Sequence, residues 1–286
     1  MTRAVVVTGA STGIGEACAR RLDAEGFRVF AGVRRDADAE ALARGASARL
    51  VPLRLDVTDG ASIAAAARTV AEAAGSSGLA GLVNNAGIAV AGPLECLPLE
   101  SLRDQLEVNV VGQVAVTQAM LPLLRTGRGR IVNVGSVSGR FATPFLGPYA
   151  ASKFALEALT DALRLEVRPF GIEVAIVEPG AVATPIWRKS AEHARRRLPA
   201  MPAATLALYE RGMAALERAA DRAARGAIPA GRVADAVLHA LTARRPRTRY
   251  VVGADARLRI LVGLLPDRWR DRLVARAMGL PSTARD

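Results

Sequence analysis

The chain has 286 residues, of which 51% are hydrophobic and 4% aromatic, and its formal net charge is +12. This length suits one large α/β domain or two small ones, and the absence of any apolar run of about 18 residues argues against a transmembrane helix. Neither Cys18 nor Cys96 has metal-ligand spacing or a place in a disulfide framework. We therefore expect a cytoplasmic protein.

The positive charge is carried almost entirely by arginine, with clusters at residues 195–197, 244–249 and 267–272. Basic clusters that bind nucleic acid usually come with an aromatic platform or a recognisable binding motif. None accompanies these clusters, so we expect no nucleic-acid partner.

A glycine-rich turn follows the first predicted strand. Residues 4–8 form a β-branched run typical of a buried strand, and a helix is predicted from Glu16 to Glu25. Glycines let the backbone approach a diphosphate, and a helix N-terminus presents unsatisfied N–H groups to it. This order predicts a dinucleotide site that includes Gly9, Ser11, Thr12, Gly13, Ile14 and Gly15.

The second predicted strand, residues 28–33, ends at Arg34 and Arg35. An NAD site usually has an acidic residue in this region, which binds the ribose 2′-hydroxyl. A guanidinium suits the 2′-phosphate of NADP instead. The sequence thus favours NADP(H) over NAD(H), although Asp36 remains an alternative ligand for a ribose.

Polar residues also follow the next predicted strands. Residues 50–55 precede Asp56 and Val57, residues 79–83 precede the turn 84–87, and residues 130–134 lead to Ser136. Helices are predicted over 59–74 and, as one long helix, over 99–124. Asn109 lies inside that helix among valines, so we expect it to bridge a water or to kink the helix.

Tyr149 and Lys153 are four residues apart and therefore share one face of a predicted helix, with Pro148 in its first turn. A nearby cation favours the phenolate and lowers the pKa of a tyrosine, which suits acid–base catalysis. Only Lys153 and Lys189 are lysines, against a strong bias toward arginine. On this pair alone, we favour a core tyrosine beside a solvated lysine, and it is the other motifs that reverse this preference.

The sixth strand is predicted over 173–177, and Pro179, Gly180, Val182 and Thr184 follow it. The alternation of strands and helices predicts an α/β fold. Its core would be a Rossmann-type, doubly wound parallel sheet of about seven strands with helices on both faces. Ligands of such sheets bind beyond the carboxyl ends of the strands, where all of these polar turns fall.

The strand rhythm stops over residues 185–229, which read as helical and charged. We interpret this segment either as a substrate lid or as a surface helical insertion. The inner face of a lid would come from Trp187, Leu206, Leu208, Tyr209 and Met213.

A helix over 233–241 and a strand over 250–252 follow, and then a helical tail over 254–286. We favour packing in the core or at a subunit interface for the apolar run 260–265 and Trp269, over contact with a membrane surface. Residues 1–286 are expected to form a single domain.

Together these motifs resemble those of the short-chain dehydrogenase/reductase family, over nearly the whole chain. Thr8 with the three glycines resembles its cofactor loop, residues 84–87 its strand-four turn, and Pro179, Gly180 and Thr184 its nicotinamide-side loop. The glycine spacing and Arg34 resemble the compact, NADP-preferring oxidoreductase branch. Residues 136–140 and 146–164 look most like members that act on retinoids, steroids and other lipophilic alcohols.

The resemblance implies a catalytic tetrad of Asn109, Ser136, Tyr149 and Lys153. Tyr149 would exchange a proton with the substrate oxygen, Ser136 would bond that oxygen, Lys153 would hold the nicotinamide ribose, and Asn109 would support a water. The remaining cofactor contacts implied are Asp56, Val57, Asn85, Ala86, Gly87, Pro179, Gly180, Val182 and Thr184.

The function implied is NADP(H)-dependent interconversion of a carbonyl and a primary or secondary alcohol on a small, fairly apolar substrate. A non-catalytic NADP-binding regulator and an NAD-dependent alcohol dehydrogenase are the alternatives. By the same analogy we expect a homodimer or homotetramer and no metal.

Overall fold

The computed structural model describes residues 3–186, 190, 192 and 202–280. Its centre is a seven-stranded sheet in the order β3-β2-β1-β4-β5-β6-β7, and every neighbouring pair is parallel. The strands are β1 Ala4–Val7, β2 Arg28–Val33, β3 Leu50–Arg54, β4 Gly81–Asn84, β5 Arg130–Val134, β6 Glu173–Pro179 and β7 Arg249–Val252. The predicted Rossmann-type sheet is confirmed.

Helices cover both faces of this sheet. The helices are α1 Gly13–Ala24, α2 Asp36–Ala43, α3 Gly60–Ala74, α4 Leu99–Leu106, α5 Gly112–Gly127, α6 Gly147–Glu166, α7 Ala203–Leu208, α8 Glu210–Arg225, α9 Ala230–Thr242, α10 Ala254–Gly263 and α11 Asp267–Met278. The strand order reverses between β1 and β4, and such a reversal opens a crevice at the carboxyl edge of the sheet.

Two apolar cores, one on each face, explain why the strands read as continuous hydrophobic runs. Val5 and Val7 of β1 pack in one core with Leu22 of α1 and Val237 of α9. The intervening Val6 points to the other core, which contains residues of α3 and α5. A strand buried on both faces has no polar alternation.

The helix predicted over 99–124 is interrupted. A π-helical segment, Glu107–Val111, separates α4 from α5, and Asn109 lies at its centre. Such π-bulges frequently occur at functional sites. The expectation of a local distortion at Asn109 is therefore confirmed.

The helical tail after β7 does not pack in the core as its apolar residues had led us to expect. Leu261, Leu264 and Trp269 are 62%, 76% and 65% exposed, because helices α10 and α11 run along the surface. Their placement in the core is wrong for this chain, whereas a subunit interface stays a prediction. Among the described residues, no helix has both the length and the apolarity needed to cross a membrane.

Candidate active site

A single cavity at the carboxyl edge of the sheet brings the predicted site residues together. Of the residues predicted to bind the cofactor or to catalyse, only Gly13 and Gly15 lie outside its wall. The predicted residues in the wall are Gly9, Ser11, Thr12, Ile14, Arg34, Asp56, Val57, Asn85, Ala86, Gly87, Asn109, Ser136, Tyr149, Lys153, Pro179, Gly180, Val182 and Thr184. The convergence predicted from the strand ends is thus present in the fold.

The glycine turn leaves no room for side chains. Gly9 and Gly13 have φ angles of +63° and +65°, a region that glycine adopts without strain. A Cβ atom on Gly15 would lie 2.2 Å from the carbonyl oxygen of Gly9. This close packing places the N-terminus of α1 against the cavity, which fits the diphosphate of a dinucleotide.

The turn after β4 is fixed to β1 by side-chain hydrogen bonds. Thr8 Oγ1 accepts from the backbone N–H groups of Asn85 at 2.9 Å and of Ala86 at 3.0 Å. Asn85 Nδ2 donates in return to the carbonyl oxygens of Thr8 and Gly9, at 3.0 and 3.1 Å. These bonds hold the two turns on either side of the crevice in register.

The two arginines after β2 have different environments. Arg35 forms a bidentate pair with Asp38, at 2.8 and 2.9 Å. Arg34 lines the cavity and makes no salt bridge within the described ranges. Asp36, the alternative ribose ligand, pairs instead with Arg54 at 3.0 Å outside the cavity wall.

Asp56 lines the same cavity as Arg34, and its carboxyl group is ionised. Its burial opposes ionisation, but hydrogen bonds from Thr58 and the positive charges of Arg34 and Arg54 outweigh that effect. The pKa of Asp56 is consequently below its ordinary value. Asp56 also accepts from the Thr58 hydroxyl at 2.8 Å, which orients the carboxylate.

Asn109 is fully buried and connects three segments. Its Oδ1 accepts from the N–H of Ile88 at 2.9 Å, and its Nδ2 donates to the carbonyl oxygen of Ile88 at 3.0 Å and to Ser152 Oγ at 3.1 Å. The π-bulge thus ties the loop after β4 to helix α6. This contact holds the floor of the cavity beside Tyr149 and Lys153.

Ser136, Tyr149 and Lys153 lie together in the cavity wall. The hydroxyl of Tyr149 hydrogen-bonds with Ser136, whose Oγ also accepts from the N–H of Ser138 at 3.1 Å. Lys153 Nζ donates to the carbonyl oxygen of Val134 at 2.8 Å and lies 5.9 Å from the centroid of the Tyr149 ring. A solvated lysine is therefore excluded, since only 5% of Lys153 is exposed.

The expected direction of the Tyr149 pKa is wrong for this structure. Burial raises the pKa of Tyr149, and the hydrogen bond from Ser136 only partly opposes that rise. Burial also lowers the pKa of Lys153, to about 8, against the opposing charge of Glu157. The sequence shows that the cation is near but not how strongly burial disfavours a phenolate.

Two described residues of the 185–229 segment reach the cavity. Ile186 and Ser190 line its wall, and Ser190 Oγ donates to the carbonyl oxygen of Ala89. Elsewhere in the segment, Gly212 of α8 lies so close to Phe145 that a Cβ atom on Gly212 would collide with the ring. The rings of Phe145 and Tyr209 are arranged edge to face, with their centroids 6.3 Å apart.

Several predictions for this segment have different outcomes. Leu208 does not belong to the inner face of a lid, because 78% of it is exposed to solvent. Trp187, Lys189, His193 and the arginines 195–197 lie outside the described residues.

Sequence reasoning missed two groups of residues. Ile88, Ala89 and Val108 add an apolar wall to the cavity. They adjoin the turn 84–87 and Asn109, but apolar side chains of their kind occur throughout the chain and gave no signal of their own. Asp255, at the start of α10, accepts from the N–H of Ala181 at 2.8 Å and so anchors the loop after β6. An acidic residue just after the last strand was the available signal for that contact.

Comparison with known proteins gives a consistent result. A family model described as short chain dehydrogenase matches residues 3–195. The 17-beta-hydroxysteroid dehydrogenase type 6 of Bos taurus is 40% identical, over 98% of this chain and 90% of that protein. Retinol dehydrogenase 5 of Mus musculus is also 40% identical, over 97% of this chain and 89% of that protein.

A solved structure extends the comparison to the fold. A short chain dehydrogenase from Burkholderia cenocepacia J2315, crystallised in complex with NADP, has a TM-score of 0.71 and 29% identity, over 96% of this chain and 97% of that one. These relatives confirm the resemblance to family members that act on steroids and retinoids. The chain therefore belongs to the short-chain dehydrogenase/reductase family of oxidoreductases.

Proposed function

We propose that this protein is an NADP(H)-dependent oxidoreductase that interconverts a carbonyl and an alcohol on a small, fairly apolar substrate. The observation that carries the proposal is the placement of Ser136, Tyr149 and Lys153 in one cavity with the glycine turn and Arg34. A nucleotide cradle alone would suit a regulator, but a buried phenol beside a buried ammonium is an acid–base pair that a regulator does not need.

NADPH would supply the hydride for this chemistry when bound. Ser136 bonds and orients the substrate oxygen, and Tyr149 donates its hydroxyl proton to that oxygen. Because burial raises the pKa of Tyr149, the phenol is protonated at neutral pH and suited to act as an acid in carbonyl reduction. In the reverse direction the phenolate would accept the proton of the alcohol.

Lys153 and Asn109, the other two members of the proposed tetrad, would position the cofactor and a water. Lys153, fixed to the carbonyl of Val134, would hold the nicotinamide ribose. Asn109 keeps the π-bulge and the Ile88 backbone in place and would support a water beside Lys153. Asn85, Ala86, Gly87, Pro179, Gly180, Val182 and Thr184 would complete the cofactor contacts.

The preference for NADP(H) is supported by the position of Arg34 at the open end of the cavity. A guanidinium matches a 2′-phosphate with charge-assisted hydrogen bonds. The NADP bound to the similar Burkholderia protein agrees with this assignment. NAD(H) would need an acidic ribose ligand, and Asp36 is engaged by Arg54.

The lining of the cavity supports a proposal for the substrate class. The apolar wall of Ile88, Ala89, Val108 and Ile186 suits a lipophilic alcohol or ketone. The names of the relatives, a hydroxysteroid and a retinol dehydrogenase, agree with this class.

We further propose, by analogy with the family, a cytoplasmic protein in which residues 1–286 form one domain and the chain assembles as a homodimer or homotetramer. Sedimentation velocity on the purified protein tests the number of subunits.

Tyr149→Phe tests the proposed reaction. The variant keeps the ring and its packing but removes the transferable proton, so turnover of an aliphatic or steroid ketone with NADPH should fall by about 10²–10⁴-fold. NADPH binding, followed by fluorescence titration, should change little. Tyr250→Phe is the matched control, since that phenol bonds to His239 outside the cavity. Retained turnover in Tyr149→Phe would contradict the assignment.

A further inference from the structure

A buried group of charged side chains lies directly behind Lys153. Glu157 stands one helical turn beyond Lys153 on α6, and Arg249 approaches from β7. Arg249 contacts Glu157 Oε2 through Nε at 3.2 Å and through a terminal nitrogen at 3.1 Å. Glu157 is only 8% exposed and lies outside the cavity wall.

Further charges face this pair from every neighbouring element. Glu178 of β6, fully buried, lies 3.2 Å from Arg249 Nε and 3.6 Å from Arg140. Asp161, one turn further along α6, contacts Arg249 at 2.6 Å and Arg164 at 2.7 Å. Neither oxygen of Glu178 accepts a hydrogen bond from a described residue, so Arg249 and Arg140 compensate its charge only as ions.

Cations and anions alternate in this group behind Lys153. Its cations are Lys153, Arg140, Arg164 and Arg249, and its acids are Glu157, Glu178 and Asp161. A buried ammonium needs an opposite charge to stay ionised. Glu157 is the acid whose charge acts on Lys153. Burial and the charge of Glu178 raise the pKa of Glu157, and the charge and hydrogen bonds of Arg249 partly oppose that rise.

We infer that Glu157 is a positioning residue that serves as the counter-charge of Lys153 and that Arg249 holds it in place. Glu157 acts on the cofactor site only through Lys153. Its carboxylate keeps the ammonium protonated at the slightly alkaline pH at which a buried lysine would otherwise lose its proton. The ammonium can then donate hydrogen bonds both to Val134 and to a bound ribose. The inference rests on the proposed function only for that last role.

Two lysines in the whole chain make the test direct. Protein labelled with ¹³C at lysine Cε gives two signals from Lys153 and Lys189, and Lys189→Arg assigns them. Titration by NMR from pH 6 to 11 in the absence of cofactor reads the midpoint of Lys153. In Glu157→Gln this midpoint should fall by about one pH unit, the low end of the effect of a neighbouring charge.

The matched control is Glu166→Gln, which removes one carboxylate from an exposed position at the end of the same helix. Its Lys153 midpoint should stay within about 0.2 units of the wild type, because an exposed charge is screened. Glu157→Asp, which keeps the carboxylate, should recover part of the shift. Equal midpoints in Glu157→Gln and Glu166→Gln would overturn the inference.

A second readout does not depend on the stability of a variant. The wild-type Lys153 signal, followed from pH 4 upward, should show one inflection as Glu157 ionises and a second as Lys153 itself loses its proton. A single inflection over that whole range would also overturn the inference. Neither titration uses turnover, so failure of the proposed oxidoreductase activity would leave this test intact.

Discussion

Arg249 Nε lies 3.2 Å from Oε1 of Glu178, a carboxylate with no exposed surface. The same guanidinium reaches Glu157 at 3.1 Å and Asp161 at 2.6 Å. One cation from the last strand therefore compensates acids from β6 and α6. Strand β6 leads into the loop that lines the cavity, and α6 carries Tyr149 and Lys153. The ion pairs of Arg249 in β7 therefore connect the two elements that form opposite sides of the cavity.

Removal of this cation should be strongly destabilising. Arg249→Met leaves Glu157 and Glu178 buried beside each other, and breaking a buried pair in this way costs about 3–5 kcal/mol. Urea unfolding at pH 8 measures the loss. Arg103→Met is the control, because Arg103 and Glu100 form an exposed pair worth less than about 1 kcal/mol. Similar losses in the two variants would contradict the ionic role of Arg249.

Stability should also depend on pH through Glu157. Burial and the nearby charge of Glu178 raise the pKa of Glu157 to about 7, whereas an unfolded glutamate has a pKa of about 4.3. Between these values the folded protein holds a proton that the unfolded chain has lost. The stabilising contribution is present below about pH 4.3 and is lost as the pH rises through about 7.

Glu157→Gln removes that linkage. The free energy of unfolding of the wild type, measured relative to this variant, should therefore decrease between pH 5 and pH 8. Urea titrations at several pH values in that interval give the slope. The same comparison with Glu100→Gln, an exposed carboxylate, should be flat. A difference that stays constant between pH 5 and pH 8 would show that Glu157 ionises at or below its ordinary pKa.

Arg34 and Arg35 offer an internal comparison for cofactor preference. Arg34→Ala should weaken NADPH binding by about 10–100-fold, because a hydrogen-bonded charge is worth about 1.5–3 kcal/mol, and should leave NADH binding nearly unchanged. Arg35→Ala also removes one positive charge. Because the Arg35 guanidinium is already paired with Asp38, NADPH binding should change little in this variant. Thermal shift with each cofactor at equal concentration provides the measurement.

Two results would weigh against this role of Arg34. Equal losses of NADPH affinity in both variants would indicate a general effect of positive charge rather than a phosphate contact. A wild type that is stabilised more by NADH than by NADPH would favour an NAD-dependent alcohol dehydrogenase.

The sheet and the glycine turn could be predicted because their signals are local. β-branched runs alternate with helical spacing, and most of the cofactor residues that the sequence predicts follow a strand directly. Asn109 was detectable for the same reason, as a polar residue within an apolar helix. What could not be read was the π-bulge itself, which depends on the bonds to Ile88 from another segment.

The ion group behind Lys153 is non-local. Glu157 and Arg249 are 92 residues apart in the sequence and meet only because β7 pairs with β6. Glu178 did carry a signal, as an acid at the end of an apolar strand. The Tyr149 pKa was misjudged for a related reason, since spacing reveals the neighbouring cation but not the burial of the phenol.

The loop after β6 is held by a close contact between Gly180 and Asp255. A Cβ atom on Gly180 would lie 2.2 Å from Asp255 Oδ1, while Asp255 Oδ2 accepts from the N–H of Ala181 at 2.8 Å. Gly180 lines the cavity and Asp255 belongs to α10, so a tail helix sets the position of a residue that we propose to contact the cofactor. Asp255→Ala should weaken NADPH binding, because the loop loses its anchor.

A double-mutant cycle tests this geometry. Gly180→Ala should be strongly disruptive in the wild type, because the added methyl group collides with a carboxylate, and much milder together with Asp255→Ala. The coupling between the two changes, from NADPH affinity and urea unfolding, should be about 0.5–3 kcal/mol, the range found for residues in contact. Asp267→Ala, which removes an exposed acid from the first turn of α11, should show no coupling to Gly180→Ala. If the effects of Gly180→Ala and Asp255→Ala simply add, the carboxylate does not set the space at Gly180.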